Sequence, residues 1–347
     1  MTFAALTGAR IPIVQAPMAG VQGSALAIAV SQGGGLGSLP CAMLSHDAMS
    51  RELAAIRAAT DKPFNVNFFC HTPPPSDARR EAAWRAALGP YFAEFGIDAN
   101  RISAGAGRRP FDAEAAAILD EFHPAVVSFH FGLPDAALVA RAKSTGARIF
   151  ASATTVEEAC WLEGHGADAV IAQGSEAGGH RGMFLSDDVS TQPGIFALLP
   201  QVVDAVKIPV IAAGGIADRR GVAAALVLGA TAVQIGTAWL LCPEATTSPV
   251  HRAALKSPAA AATAITNLFS GRPARGIVNR LMREMGPMSD LPPAFPVASA
   301  AVAPLRAAAE SRGDGGFSPL WCGENASGCR EVPAAELLRA LAPAANL

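Results

Sequence analysis

The sequence predicts an α/β protein: a (β/α)8 TIM barrel with a smaller helical insertion between its last strand and its final helix. Three observations carry this. Eight short apolar runs alternate with helical patterns. That alternation implies a parallel sheet, and a count of eight favours a closed barrel over an open doubly wound sheet. Most of the runs end in glycine or proline breaks, and the rhythm stops near residue 243 before a last helix near residue 334.

Ile11 to Gln15 reads as the first strand, broken by Ala16-Pro17-Met18-Ala19-Gly20. A small-residue helix, Ser24 to Gln32, is stopped by Gly33-Gly34-Gly35, and Leu36 to Leu39 is the second strand. Ser45-His46-Asp47 opens a helix with Leu53 and Ile56 at helical spacing. Pro63 precedes the third strand, Phe64 to Phe69, which carries Asn67. The next connection is long. It holds the stiff break Pro73-Pro74-Pro75, a helix over Arg79 to Phe95, a Gly/Arg-rich loop over 96–111 and a helix over Phe111 to Phe122.

Ala125 to Phe131 is the fourth strand, with Ser128 and His130. Helix Ala136 to Ser144, strand Ala147 to Ser152 and helix Thr155 to Glu163 follow, Glu157-Glu158 suiting the positive end of the last helix. The sixth strand is Ala169 to Ala172. A loop over Met183 to Pro193 leads to helix Phe196 to Val206 and strand Ile208 to Ala213, which ends in Gly214-Gly215. Helix Arg219 to Leu228 and strand Ala232 to Ile235 close the series at Gly236-Thr237. Residues 243–310 are Ala/Pro-rich, with a helix expected at Ile277 to Met285. They read as a substrate-capping insertion over the barrel mouth, leaving 1–242 and 311–347 as the barrel. Helix Ala334 to Leu341 is the last element.

Composition narrows the class. Of 347 residues, 51% are hydrophobic and 16% charged, below the roughly 25% charged of an average soluble domain. A net charge of −2 offers little to a phosphate backbone, so no nucleic-acid partner is expected. Six scattered cysteines form no C-x-x-C pair, which argues against a zinc site or a disulfide framework. No basic-then-apolar leader is visible, and the apolar stretch Val222 to Cys242 is punctuated by Gly229, Gln234 and Gly236. The expectation is a cytoplasmic monomer or homodimer with no membrane partner and no metal.

The stretch Asp168 to Gly182, DAVIAQGSEAGGHRG, concentrates the chemistry. Gln173-Gly174 ends a strand, Gly178-Gly179 let a ligand approach bare backbone, and His180 can exchange a proton near neutral pH. Barrel ligands sit at the C-terminal strand ends, with phosphate sites after strands seven and eight. There the sequence places Gly214-Gly215 and Gln234-Ile235-Gly236-Thr237. No G-x-G-x-x-G, P-loop, H-E-x-x-H or G-x-S-x-G pattern competes. Arg181 is expected to pair with Glu176 or Asp187.

Taken in order, PIVQAPMAG, NVNFF, SFHFG, DAVIAQGSEAGGHRG, PVIAAGGI and QIGT resemble the nitronate monooxygenase family, formerly called 2-nitropropane dioxygenases. H-R-G at His180 to Gly182, with SFHFG upstream, looks like its class I branch. The resemblance implies an FMN-dependent barrel that oxidises alkyl nitronates with O2 to carbonyl compounds and nitrite. On that pattern Asn67, Gln173, Gly178, Gly179, Gly214, Gly215, Gln234, Ile235, Gly236 and Thr237 would contact FMN. Ala16, Pro17 and Met18 would border its ring. His180 would be the base, and His130, Asn67 and Met18 would meet the nitronate or nitroalkane. A neutral-pH base and a polar pocket for a delocalised anion suit that chemistry. With Tyr91 the one tyrosine, Phe269 or Phe317 is expected to replace any tyrosines of the pocket. The competing reading is an NAD(P)H-dependent flavin reductase of the quinone or enoyl-acyl-carrier-protein type on the same barrel.

Overall fold

The computed structural model describes residues 1–102 and 107–343. Residues 103–106 of the expected Gly/Arg-rich loop, and 344–347 of the expected barrel, lie outside the described residues. The strands in chain order are β1 (Ile13–Gln15), β2 (Gly37–Pro40), β3 (Phe64–Phe69), β4 (Val126–His130), β5 (Arg148–Ala153), β6 (Ala169–Gln173), β7 (Gly179–His180), β8 (Val210–Ala213), β9 (Ala232–Ile235), β10 (Thr263–Thr266) and β11 (Ala274–Ile277). Eight of them form one parallel sheet in the order β1-β9-β8-β6-β5-β4-β3-β2. A parallel bridge between Val14 and Leu36 joins its two ends, with Leu36 N–H donating to Ile13 O and Gln15 N–H to Leu36 O, both at 2.9 Å. This is the (β/α)8 barrel that the alternation predicts.

Side chains on the barrel wall alternate between two cores. Val14, Leu36, Val126, Phe150, Ile171 and Ile211 point inward and meet Phe3 and Leu6 of an N-terminal helix, Phe3–Thr7. Leu39, Val66, Val127, Ile149, Val170 and Val233 point outward under the ring of helices. The final helix, Ala334–Leu341, packs beside helix Ser24–Gly33, its Leu337, Leu338 and Leu341 buried in the same outer core.

A second body stands beside the barrel. Helices Ala78–Ala87, Gly89–Phe95, Arg280–Met285 and Ser299–Glu310 share a core around Trp84, Leu88, Leu281, Leu305 and Phe317. The Trp84 indole N–H donates to Ala298 O at 3.2 Å. The β3–β4 connection and the 243–310 segment are therefore packed together. Alongside its helices, that segment carries an antiparallel ribbon, β10 and β11, which extends through β11 to β7.

Three local expectations are corrected. The helix over Arg79 to Phe95 is two helices, because Gly89-Pro90 restarts the helix with proline in its first turn. The helix expected from Ile277 begins at Arg280: Ala274–Ile277 is strand, and the Asn279 side chain caps the helix by accepting from Met282 N–H at 3.2 Å. Helices Pro249–Leu255 and Ser299–Glu310 were not foreseen in the Ala/Pro-rich segment, and the second carries Pro304 within it. Among the described residues, no helix is long and apolar enough to cross a membrane.

Gly37 shows how closely the layers approach. A Cβ there would collide with the backbone of Ala27 in the covering helix. Gly37→Ala is expected to cost about 1–3 kcal/mol of stability through overpacking, read as a lower denaturant midpoint. An unchanged midpoint would contradict this packing.

Candidate active site

The C-terminal ends of the barrel strands open into a cleft with about 1360 Å³ of atom-free space, its mouth included. Each residue singled out in the sequence for the base, the cofactor or the nitronate lines it. Ala16, Pro17 and Met18 follow β1, Asn67 lies near the end of β3, His130 ends β4 and Gln173 ends β6. Gly178, Gly179 and His180 come from the loop beyond β6. Gly214 and Gly215 follow β8, while Gln234 and Ile235 end β9 ahead of Gly236 and Thr237. Inward positions become polar as the strands approach the cleft: Val126, Ser128, His130 along β4 and Ala169, Ile171, Gln173 along β6.

His180 is held by its main chain and its side chain separately. Its carbonyl accepts from Gln173 Nε2 at 3.0 Å and from His130 Nε2 at 3.1 Å. Gln173 Oε1 accepts from Gly182 N–H at 2.8 Å, so one side chain clamps both ends of the H-R-G turn. On the far side, His180 pairs with Ala274 of β11, and Arg181 N–H donates to Pro273 O at 2.9 Å. The imidazole Nε2 lies 2.9 Å from Ser270 Oγ. Ser270 Oγ also lies 3.3 Å from Arg272 O; with the hydroxyl proton directed there, Nε2–H donates to Ser270 and the Nδ1 lone pair is left for a ligand.

The histidines here are neutral at pH 7. Burial pushes His130 down to about 3 from 6.5, and its Nδ1 meets Ser152 Oγ at 3.0 Å. Burial, then the positive charge of Arg108, holds His180 well below the usual histidine range. Burial likewise lowers His71 and His251 to about 4. Asn67 donates its amide to Ser128 Oγ at 3.0 Å, with no partner for its Oδ1 among the described residues.

The opposite end of the cleft is a cradle of bare backbone. The N–H groups of Gly214, Gly215, Gly236 and Thr237 have no acceptor among the described residues. Gly214 and Gly215 take φ of 122° and 68°, conformations that suit glycine. Beside them Gln234 Oε1 is buried without a partner among the described residues. The nearby Glu176 carboxylate is occupied elsewhere, accepting from Ile195 N–H at 2.9 Å at the start of helix Ile195–Ala205.

Two expectations fail. Arg181 pairs with neither Glu176 nor Asp187: wholly buried, it donates to Gln192 Oε1 at 2.7 Å and Gln173 O at 2.9 Å. Phe317 and Phe269 do not line the cleft. Phe317 packs against Tyr91 in the second body, and Phe269 sits behind Trp321. The rings near His180 are Phe295 at 5.3 Å, Trp321 at 5.5 Å, and Phe69 and Phe131 at 6.1 Å. Phe131 adopts φ 71°, a strained conformation for a large residue at the end of a site strand.

A family description reading nitronate monooxygenase matches residues 2–344. The chain belongs to the nitronate monooxygenase family. It is 46% identical to a nitronate monooxygenase of Pseudomonas aeruginosa, over 98% of this chain and 97% of that one. The solved nitroalkane oxidase of Streptomyces ansochromogenes superposes with a TM-score of 0.88 at 40% identity, covering 97% of this chain and 96% of its own. FabK from Thermotoga maritima superposes with a TM-score of 0.70 at 26% identity, over 98% and 94% of the two chains.

For this member of the nitronate monooxygenase family, sequence reading missed Arg108, His251, Ser270, Trp321 and Asn325. All but Ser270 line the cleft, and Ser270 is within hydrogen-bond reach of His180. None belongs to a motif that a strand end or glycine turn would flag; each arrives from a connection or the 243–328 region.

The buried neutral histidines make a pH prediction. Below their ordinary pKa of 6.5 they bind protons when unfolded but not when folded, so stability falls as pH drops from 6.5 toward 4. The slope is about 1.4 kcal/mol per pH unit for each such histidine. Denaturant titrations at pH 7 and 4.5 measure it, and a flat stability across that window would contradict neutral His71, His130 and His251.

Proposed function

We propose that the cleft binds FMN and oxidises alkyl nitronates with O2 to carbonyl compounds and nitrite, with His180 as the base that converts nitroalkanes into nitronates. The observation that carries this is the pairing of a bare-backbone cradle with a neutral, accessible imidazole nitrogen in one cleft. Gly214, Gly215, Gly236 and Thr237 would hold the phosphate. Gln234, Asn67, Gln173, Gly178 and Gly179 would face the rest of the cofactor, with Ala16, Pro17 and Met18 beside its ring. The unpartnered Gln234 Oε1 and the open space around Gly179 support that fit. FMN, when bound, supplies the electron transfer between nitronate and O2, which no side chain can perform.

The protein's part is proton handling and enclosure. His180 Nδ1 takes the α-proton, and the lone pair is aimed by Ser270 on the opposite nitrogen. A depressed histidine pKa favours the neutral form at rest, and the nitronate produced by deprotonation offsets the charge of the resulting imidazolium. Phe69, which lines the cleft with Phe131 and Phe295 packed against it, would keep the reacting carbon away from water. His130 and Met18 would border the substrate, His130 chiefly by fixing the His180 carbonyl. The 243–310 segment, which contributes Ser270 and Phe295, would cap the substrate end of the 1–242 and 311–347 barrel. An NAD(P)H-dependent flavin reductase is the second reading, because the same bare-backbone cradle and cleft would serve a flavin reduced by a nicotinamide.

An anaerobic visible spectrum of the purified protein tests both. Flavin bands bleached by a nitronate support the first reading, whereas bands bleached only by NADH or NADPH favour the second. Absence of flavin bands after FMN reconstitution would refute both. His180→Asn is expected to keep flavin binding and to lower neutral nitroalkane turnover by about 10²–10⁴-fold, with preformed nitronates affected less. Ser270→Ala should leave flavin binding intact and shift the pH profile of nitroalkane turnover while sparing that of nitronates. A profile that does not move would remove Ser270 from the orientation of the base.

A further inference from the structure

Among the described residues, no carboxylate pairs with the Arg108 guanidinium. It lines the cleft, and its Cζ lies 5.3 Å from the Phe295 ring centroid, the same ring that stands 5.3 Å from the His180 ring. Neither 103–106 nor 344–347 contains an acidic side chain. Burial lowers its pKa with no opposing carboxylate. A desolvated cation without a partner is costly unless a ligand supplies the anion.

The neighbouring cation is differently placed. Arg272 lies 4.0 Å over the Phe131 ring, but it donates to Met183 O and feels the Asp187 and Glu158 carboxylates. The segment bearing Arg108 is also fastened. Phe111 N–H donates to Phe69 O at 2.9 Å, and Arg109 reaches His46 at 3.0 Å. His46 in turn contacts Asp112 at 3.1 Å and Glu114 at 2.6 Å. Arg108 thus stands on a fastened segment and shares the Phe295 ring with His180. His130, being neutral and hydrogen-bonded at both nitrogens, cannot supply a positive charge there.

We propose that Arg108 is the substrate's anion anchor and its specificity determinant: it receives an oxyanion of the small molecule whose α-carbon faces His180. That oxyanion is the nitronate group itself or a carboxylate on the same molecule. The proposal rests on the reading of this end of the cleft as the substrate end. A planar guanidinium matches two oxygens of either group in a bidentate pair.

The test uses the purified holoenzyme and its Arg108→Met and Arg108→Lys variants, with thermal melts to show that each folds. Nitrate, a planar singly charged oxyanion, is titrated calorimetrically against chloride at matched ionic strength. Binding is expected to weaken about 10- to 100-fold in Arg108→Met and to be partly kept in Arg108→Lys. Steady-state kinetics then compare propane 1-nitronate, propionate 3-nitronate and neutral 1-nitropropane. A rise in KM for both nitronates, with 1-nitropropane unchanged, identifies the nitronate oxygens as the ligand. A rise for propionate 3-nitronate alone identifies the carboxylate. Nitrate binding and nitronate KM unchanged in Arg108→Met would overturn the proposal. Nitrate binding lost in Arg108→Met by a protein that turns over no nitronate would sustain the anchor and refute the proposed reaction.

Discussion

The pairing of Gly179–His180 with Ala274–Arg275 is the constraint on which the site depends. A barrel strand end can present a backbone, but it cannot by itself fix a loop histidine that lies beyond a glycine pair. Here the ribbon supplies the missing side of the ladder, and Gln173 and His130 hold the same peptide from below. One slip of register would turn the imidazole away from the cleft, because alternate residues face opposite sides of a strand. Gly178 and Gly323 make the close approach possible: a Cβ on Gly178 would lie 2.5 Å from the Gly323 nitrogen.

Charge follows from the same arrangement. The histidines of the cleft are buried and neutral, so they contribute lone pairs and dipoles. Positive charge comes from guanidinium groups, which stay ionised even when partly desolvated. Arg181 is spent on the Gln173 carbonyl and Gln192, beneath the floor. The protein as a whole carries a net charge of −2, and the cleft lining holds one guanidinium, Arg108, and one carboxylate, Glu176, which is already engaged by Ile195 N–H. Attraction for an oxyanion is therefore confined to the few ångströms around Arg108, where screening by salt is weakest.

Much of the fold was legible because a barrel repeats one message. Eight strand-and-glycine signals reinforce one another, so errors of a residue or two at each boundary do not accumulate. The strand-end positions of the candidate site were legible for the same reason. What the sequence hid was everything that depends on packing between distant segments. Pro304 and the run of alanines disguised a helix whose identity is set by Trp84 and Phe317. Ser270 carries no local sign of its bond to His180, and Arg108 reads as an ordinary loop arginine until it is seen, among the described residues, to pair with no carboxylate. The pairing expected for Arg181 failed because sequence proximity to Glu176 says nothing about which way a buried side chain points.

The ribbon that seats His180 also sets an order of assembly. All eight barrel strands are complete by Ile235, but the partner of His180 lies at Ala274 and the last cleft residues at Trp321 to Asn325. During synthesis from the N-terminus, the walls of the cleft can close while the segment that aims the imidazole has yet to emerge. Reactivity would then be the last property this chain acquires as it folds.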